Sequence, residues 1–527
     1  FSQGLWVYAS SIELGQSLAL NLLAAIVISV LALAAGSLTL TAITAALGLV
    51  SLIPLALIGH ASGTANHSLA VNALGLHLVG IVIWVGGLIA LLISGRSGEA
   101  VLAKRYSSIA LVGFALVATG GVASGYVRVL NLQGMQSDYG LLLLIKSALL
   151  VLLGIFGAYY RRKILNAEKL SAKFLKLVLV ELFIMGSAIG MGTALARTAP
   201  PVGDGEFVTP TPAQLLTGEQ LPQPFSLETF LTSSKLDILW LVVGLWAIAA
   251  YLLGVLRLQK RGDSWPISRT ISWTLGMLLL IFVTSGSLNV YQEYLFSIHM
   301  ISHMILTMAI PVLLVPGAPV TLLMRAVQKR GDDSRGVREW VLWAVHTKFA
   351  QFIAHPIFAS INFAASLVIF YFTPIFGWAT KEHIGHEWMV VHFLITGYLF
   401  VQSLIGVDPG PKQIAFPLRL VVLIMVMAFH AFFGLALMAG SGLLLPEWYG
   451  AMGRTWGLPP LEDQQSGGAI AWGIGELPTV ALTIIVCVQW FRADRRESKR
   501  LDRASDRSGN QDLEDYNQML RNLERRP

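Results

Sequence analysis

An all-α, polytopic transmembrane helical bundle of about thirteen spans in two halves is the fold this sequence predicts, on three observations. Of its 527 residues, 55% are hydrophobic and only 13% are charged, against roughly a quarter charged in a soluble globular protein. Mean hydropathy is +0.67. Apolar runs of the roughly 20 residues needed to cross a bilayer recur along the chain. They lie near 17–35, 39–59, 69–94, 106–127, 140–160, 174–196, 236–256, 270–288, 293–315, 352–373, 386–406, 415–439 and 469–491. Every backbone polar group in lipid needs an internal partner, so these runs are helices packed on one another.

Six runs precede a break and seven follow it. The break is 197–234, RTAPPVGDGEFVTPTPAQLLTGEQLPQPFSLETFLTSS, rich in Pro and Gly and without helical period. The expected organisation is therefore a membrane domain over 1–196, an extracytoplasmic linker over 197–234, a second membrane domain over 235–491 and a charged tail over 492–527. The sequence opens on Phe1 rather than Met, so upstream residues are expected to be missing or removed. The tail, dense in both signs of charge, reads as a solvated helix or partly disordered segment. Arg492, Arg495 and Arg496 directly follow the last run and read as a stop-transfer anchor.

Basic residues set the orientation. Alternate loops on one side carry 21 Lys and Arg and the tail adds 10, whereas the other side carries 5: Arg128, Arg197, Lys235, Lys381 and Arg454. By the positive-inside rule the rich side is cytoplasmic, with the N-terminus outside and the tail inside. The net charge of +7 thus reflects membrane topology and points to the lipid bilayer, not to nucleic acid. Lys146 alone sits mid-helix, in LLLLIKSALL, where a partner inside the bundle is expected. The one cysteine, Cys487, excludes an internal disulfide or a Cys-x-x-Cys metal site, so a soft metal would have to be held by His and Met.

Histidines carry the functional signal. His77, His299, His303, His383, His386, His392 and His430 fall inside or at the edge of the apolar runs. An imidazole in hydrocarbon is costly unless it faces a cavity, a partner or a metal. His299 and His303 stand at i and i+4 on one helix face, and Met300, Met304 and Met308 form a second stripe about 100° away. At 1.5 Å per residue, His299 and His430 both lie about 12 Å below the expected outer surface, and His392 lies about 9 Å beyond His386. His386 and His392 stand about 240° apart on an ideal helix, so the two need not face one site. Neutral imidazole suits copper and zinc, and thioether sulfur favours Cu(I). The candidate metal ligands are accordingly His299, His303, His386, His392, His430, Met300 and Met304. A smaller set, His60 and His77, lies in the first half. The plain alternative is that the methionines pack and the histidines hydrogen-bond within the core.

Two further features are open in the same way. The loop 441–468, with Glu447, Asp463, Gln464 and Gln465, either orients a metal or partner or merely caps helices. Glu476 is a buried-carboxylate candidate at the same depth. In the first half, the pair Gly86–Gly87 reads as a close helix approach.

The stretches SIHMISHMILTMAIPVLLVPGAP at 297–319, HP at 355–356, the histidines of 383–392 and DQQSGGAIAWGIGE at 463–476 make the region 235–491 resemble the CtaG family of cytochrome c oxidase assembly factors. HLVGIVIWVGGL at 77–88, GFALVATGGVASG at 113–125 and GLLLLIKSALLVLLG at 140–154 make the region 69–196 resemble the CopD family of copper-resistance membrane proteins. A fusion of the two is an actinobacterial architecture. The resemblance implies a non-enzymatic copper-handling protein of the plasma membrane, partnered by cytochrome c oxidase subunits or their assembly intermediates, with Cu(I) as its metal. Two other readings remain. One is a b-type haem electron-transfer protein with His303 paired to His392 or His430 as axial ligands; the other is a docking scaffold whose histidines only hydrogen-bond.

Overall fold

The structure, a computed structural model, describes residues 2–57, 67–94, 100–129, 133–165, 172–201, 209–411, 413–508 and 511–524. Every regular element among them is helical. Among the described residues twelve helices are long and apolar enough to cross a membrane, and a bent pair makes a thirteenth span. In chain order they are α1 (Leu14–Leu33), α2 (Leu38–Leu57), α3 (His67–Ser94), α4 (Val101–Arg128), α5 (Asp138–Tyr159), α6 (Lys176–Arg197) and α7 (Ile238–Lys260). Then follow α8 (Ile267–Tyr291), α9 (Phe296–Ala326), α10 (Pro356–Tyr371 with Pro374–Lys381, bent by 76°), α11 (His383–Ile405), α12 (Phe416–Ala439) and α13 (Pro460–Arg507). Each expected run corresponds to one span, so the protein is a multi-pass membrane protein.

The boundaries depart from expectation in two places. The 197–234 break holds two short helices, Pro212–Thr217 and Leu227–Thr232. Each starts with a capping box, Thr211 with Gln214 and Ser226 with Thr229, which satisfies end groups that a helix of this length otherwise leaves bare. In the second place, the last span begins at Pro460, inside what reads as loop. Proline suits a first helical turn, and Glu462 and Asp463 favour its positive end.

The chain divides into two compact units, Phe1–Leu221 with Lys235–Val243, and Pro222–Ser234 with Gly244–Pro527. The first turns of α7 thus go with the first unit. The reason is Asp237, whose Oδ1 caps the Leu239 and Trp240 amides (2.9 and 3.3 Å) and accepts from Asn72 Nδ2 on α3 (3.0 Å).

In the first unit α3 and α4 cross at glycines. A Cβ on Gly80 would stand 2.8 Å from Gly113 O and Val117 N, and one on Gly120 would strike the Ala73 carbonyl. Nothing lies within 4 Å of such an atom on Gly86, whereas Gly87 meets the Tyr106 ring. The expected approach at Gly86–Gly87 is therefore carried mainly one and more turns away, where the backbones touch. Trp84, Leu88, Leu91, Ala103, Val117, Leu153, Val178 and Met185 form the core beside it.

The second unit is built around α9, buried over 72% of its apolar window. Two aspartates from elsewhere in the unit cap it. Asp463 accepts from the Phe296 amide (2.7 Å) and from Ser297 Oγ (2.6 Å) at the start of α9. Asp408 accepts from the Val320 and Thr321 amides (3.1 and 2.8 Å) where its last segment, Pro319–Ala326, begins. Between them the helix widens into a π-turn, Ile305–Ala309, in which Ile310 N bonds Ile305 O. Pro311 lacks the N–H that Thr307 O would accept, which favours that shift. α11 comes against the bared carbonyl at Gly397; any Cβ there would collide with Thr307 O.

Candidate metal site

The π-turn begins two residues after His303, and the residues before it form the most distinctive polar cluster of the second unit. His299, His303, Met300 and Met304 are all buried on α9, with His303 at 2% exposure and Met300 at 0%. Their common neighbour is Tyr371, the last residue of the first limb of α10. Its hydroxyl lies 3.1 Å from His299 Nε2, 3.3 Å from His303 Nδ1 and 3.9 Å from Met300 Sδ. His303 Nε2, in contrast, is buried with no hydrogen-bond partner. An unsatisfied buried polar atom costs about 1–3 kcal/mol.

Aromatic rings seal the cluster. Phe393 of α11 sits 3.8 Å from the His303 ring centroid to centroid, Phe376 5.4 Å from His299, and Phe433 of α12 5.4 Å from Tyr371. Phe296 and Tyr449 close the end toward the 440–459 loop, their rings 5.8 Å apart. That loop is pinned there because Trp448 Nε1 donates to Glu293 O (2.8 Å) and Tyr449 OH to Gln292 O (3.1 Å).

The other expected ligands stand elsewhere. His430 is buried on α12 against Gly475 of α13, where a Cβ would come within 3.2 Å of its ring. His392 is half-buried and stacks on Trp388 (4.8 Å, 12°), and His386 is half-buried one and a half turns earlier. Met304 and Met308 are buried in packing. Among the described residues no three or more His, Cys, Asp or Glu gather within metal-binding reach. The convergence is instead two imidazoles and one thioether.

In the first unit His77 is buried, and its Nδ1 lies 2.9 Å from Val117 O across the glycine crossing. The mid-helix cation Lys146 has its Nζ near Gly192 of α6. His60 lies outside the described residues.

The polar loop residues turn out to be structural. Besides the Asp463 cap, Gln464 Oε1 accepts from Leu444 N (2.8 Å), its Nε2 donates to Gly442 O (3.0 Å), and Gln465 Nε2 donates to Gly440 O (3.0 Å). Glu447 pairs with Lys381 at 3.1 Å on the surface. Its own backbone N–H and then that lysine hold its carboxyl below the usual value. Glu476 is exposed, not buried; the face of α13 that packs inward at this level carries Gly475 and Ala471 instead. Tyr371 was the residue that sequence reasoning missed. A tyrosine near the end of an apolar run reads as an interface residue, whereas Tyr371 is buried among Phe296, Phe376 and Phe433.

These features define a membrane protein with a buried His–His–Met cluster in its second unit. Residues 249–493 match the family model described as cytochrome c oxidase caa3 assembly factor, and residues 99–195 match that of copper resistance protein D. One chain thus matches a copper-resistance model and then an oxidase-assembly model, in the order the sequence resemblance implies. An uncharacterized protein of Mycobacterium bovis is 40% identical over 348 residues, 64% of this chain and 53% of its own length. One of Mycobacterium tuberculosis matches to the same extent. One of Mycobacterium leprae is 40% identical over 334 residues, 62% of this chain and 50% of its own. The chain spans about half the length of these relatives. No solved structure matches it.

Proposed function

We propose that this protein handles copper for the assembly of cytochrome c oxidase, holding Cu(I) in its CtaG region on His299, His303 and Met300 before passing it to an oxidase subunit or assembly intermediate. The observation that carries the reading is the convergence of His299 Nε2, His303 Nδ1 and Met300 Sδ on one point, at 3.1, 3.3 and 3.9 Å. Two neutral imidazoles and a thioether form a soft, uncharged donor set suited to Cu(I) in a dry site. Three ligands also suit a site that must release its metal. The matched descriptions, copper resistance and oxidase assembly, agree with it. The first unit, whose residues 99–195 match the copper resistance protein D model, moves or accepts copper in this reading. Close ring packing on His303, with Phe393 at 3.8 Å, favours a single ion over a haem macrocycle.

The test is the copper content per haem of oxidase purified from cells carrying His299→Ala with His303→Ala. We expect copper-deficient oxidase, partly rescued by added copper, with the variant at normal membrane levels. Full copper at normal levels would make the histidines structural and the region a docking scaffold.

The donor cluster faces outside in this reading, a placement that the distribution of basic residues supports. In a Cys487→Ser background, single cysteines at Thr209 and Ser498 are expected to label from opposite sides of the membrane. Labelling from one side alone would reverse or break the topology.

A further inference from the structure

We infer that the Tyr371 hydroxyl is a displaceable plug: it occupies the point on which His299 Nε2, His303 Nδ1 and Met300 Sδ converge, and Cu(I) enters by pushing it aside. This rests on the copper-holding reading above and adds to it the group that regulates the site.

The geometry carries the argument. Three donors from α9 all address one oxygen of α10, at 3.1, 3.3 and 3.9 Å. A metal ion sits about 2.0–2.3 Å from nitrogen or sulfur ligands. The same side chains therefore close on an ion by moves of about 1 Å or a little more, but only once the oxygen has left. The hydroxyl has one proton. It satisfies one ring as a donor and the other only by accepting from that ring's N–H. For copper both facing nitrogens must present lone pairs, so one imidazole changes tautomer as the plug leaves. His303 is prepared for this. A neutral ring that ligates through Nδ1 keeps its proton on Nε2, and Nε2 is the atom that has no partner.

The position of Tyr371 supplies the route out. It ends the Pro356–Tyr371 limb, two residues before Thr373 and Pro374 restart the chain at 76°. A residue at such a break moves with a small change in a few backbone angles, whereas one within a helix does not. The plug also solves the release problem. As copper departs, the returning hydroxyl restores hydrogen bonds to both imidazoles, so the emptied site is not left unsatisfied in a dry core.

The test is Cu(I) affinity and release rate for the purified full chain under anaerobic conditions, read by competition with a colorimetric Cu(I) chelator. Wild type, Tyr371→Phe and the double variant His299→Ala with His303→Ala are compared. Tyr371→Phe keeps the ring and loses the competing oxygen, so we expect Cu(I) bound roughly tenfold tighter, the equivalent of about 1.4 kcal/mol, and released more slowly. Equal or weaker binding by Tyr371→Phe, with wild type binding, overturns the plug and leaves the copper site standing. No Cu(I) binding by wild type overturns both. Should Tyr371→Phe not fold, X-ray absorption on Cu(I)-loaded wild type decides. Three-coordinate copper with one sulfur supports displacement; four-coordinate copper with an added light atom makes the phenol a ligand and overturns it.

Discussion

The two units both bury histidines in their spans and do opposite things with them. In the first unit, His77 has its Nδ1 within hydrogen-bond distance of the Val117 carbonyl, in a crossing so close that only glycines fit. A backbone carbonyl on a packed helix cannot step aside. In the second unit, His299 and His303 share a side-chain hydroxyl at a break in a helix, and one ring nitrogen has no partner. Both helices then pass into a π-turn, Val82–Gly86 after His77 and Ile305–Ala309 after His303. What differs is the partner. A histidine held by main chain is locked, whereas in the plug reading one held by a side-chain hydroxyl exchanges that hydroxyl for an ion. A buried histidine in a membrane helix therefore says little about function until the atom opposite it is known.

The largest expected effect tests the packing on which the comparison stands. Gly397→Val drives a side chain into the Thr307 carbonyl beside the π-turn, and Gly120→Val drives one into the Ala73 carbonyl. Overpacking costs about 1–3 kcal/mol when neighbours can relax, and more against backbone. We expect both to lower the melting temperature of detergent-solubilised protein or abolish its accumulation. Where protein survives, only Gly397→Val should weaken Cu(I) binding. Loss of binding in folded Gly120→Val protein would put the copper site in the first unit.

A smaller effect sharpens the contrast between the histidines. His77→Ala removes one side-chain contact with a carbonyl and leaves a small cavity, for about 1–3 kcal/mol of stability. Copper bound per chain should not change. If instead His77→Ala empties the protein of copper and His299→Ala with His303→Ala does not, the locked and exchangeable roles are reversed.

The smallest effect concerns what aims the exchangeable pair. Asp463→Asn weakens the cap at the start of α9, and losing a good cap costs about 0.5–2 kcal/mol. We expect a lower thermal midpoint and copper affinity within a few-fold of wild type. A folded Asp463→Asn protein that binds no copper would make Asp463 a ligand.

Much of this protein is legible from its sequence because lipid leaves few choices. Twenty apolar residues in a row must form a helix, so each expected run is a span, and the Pro- and Gly-rich break falls near the division into two units. The i, i+4 spacing of His299 and His303 likewise fixes a shared face whatever surrounds it. Partners across space are another matter. Asp463 reads equally as a metal catcher or a cap, and it is a cap because the start of α9 lies against it. Glu476 reads as buried and is exposed, since helical rotation within a bundle depends on neighbours that periodicity does not name. Tyr371 carries no local signal at all. By itself the sequence determined the helices, their order and the chemical types of donor, all set by local composition and backbone need. Only the tertiary structure decided which donors meet, because that depends on a 76° break in α10 and a glycine contact 90 residues from the π-turn it meets.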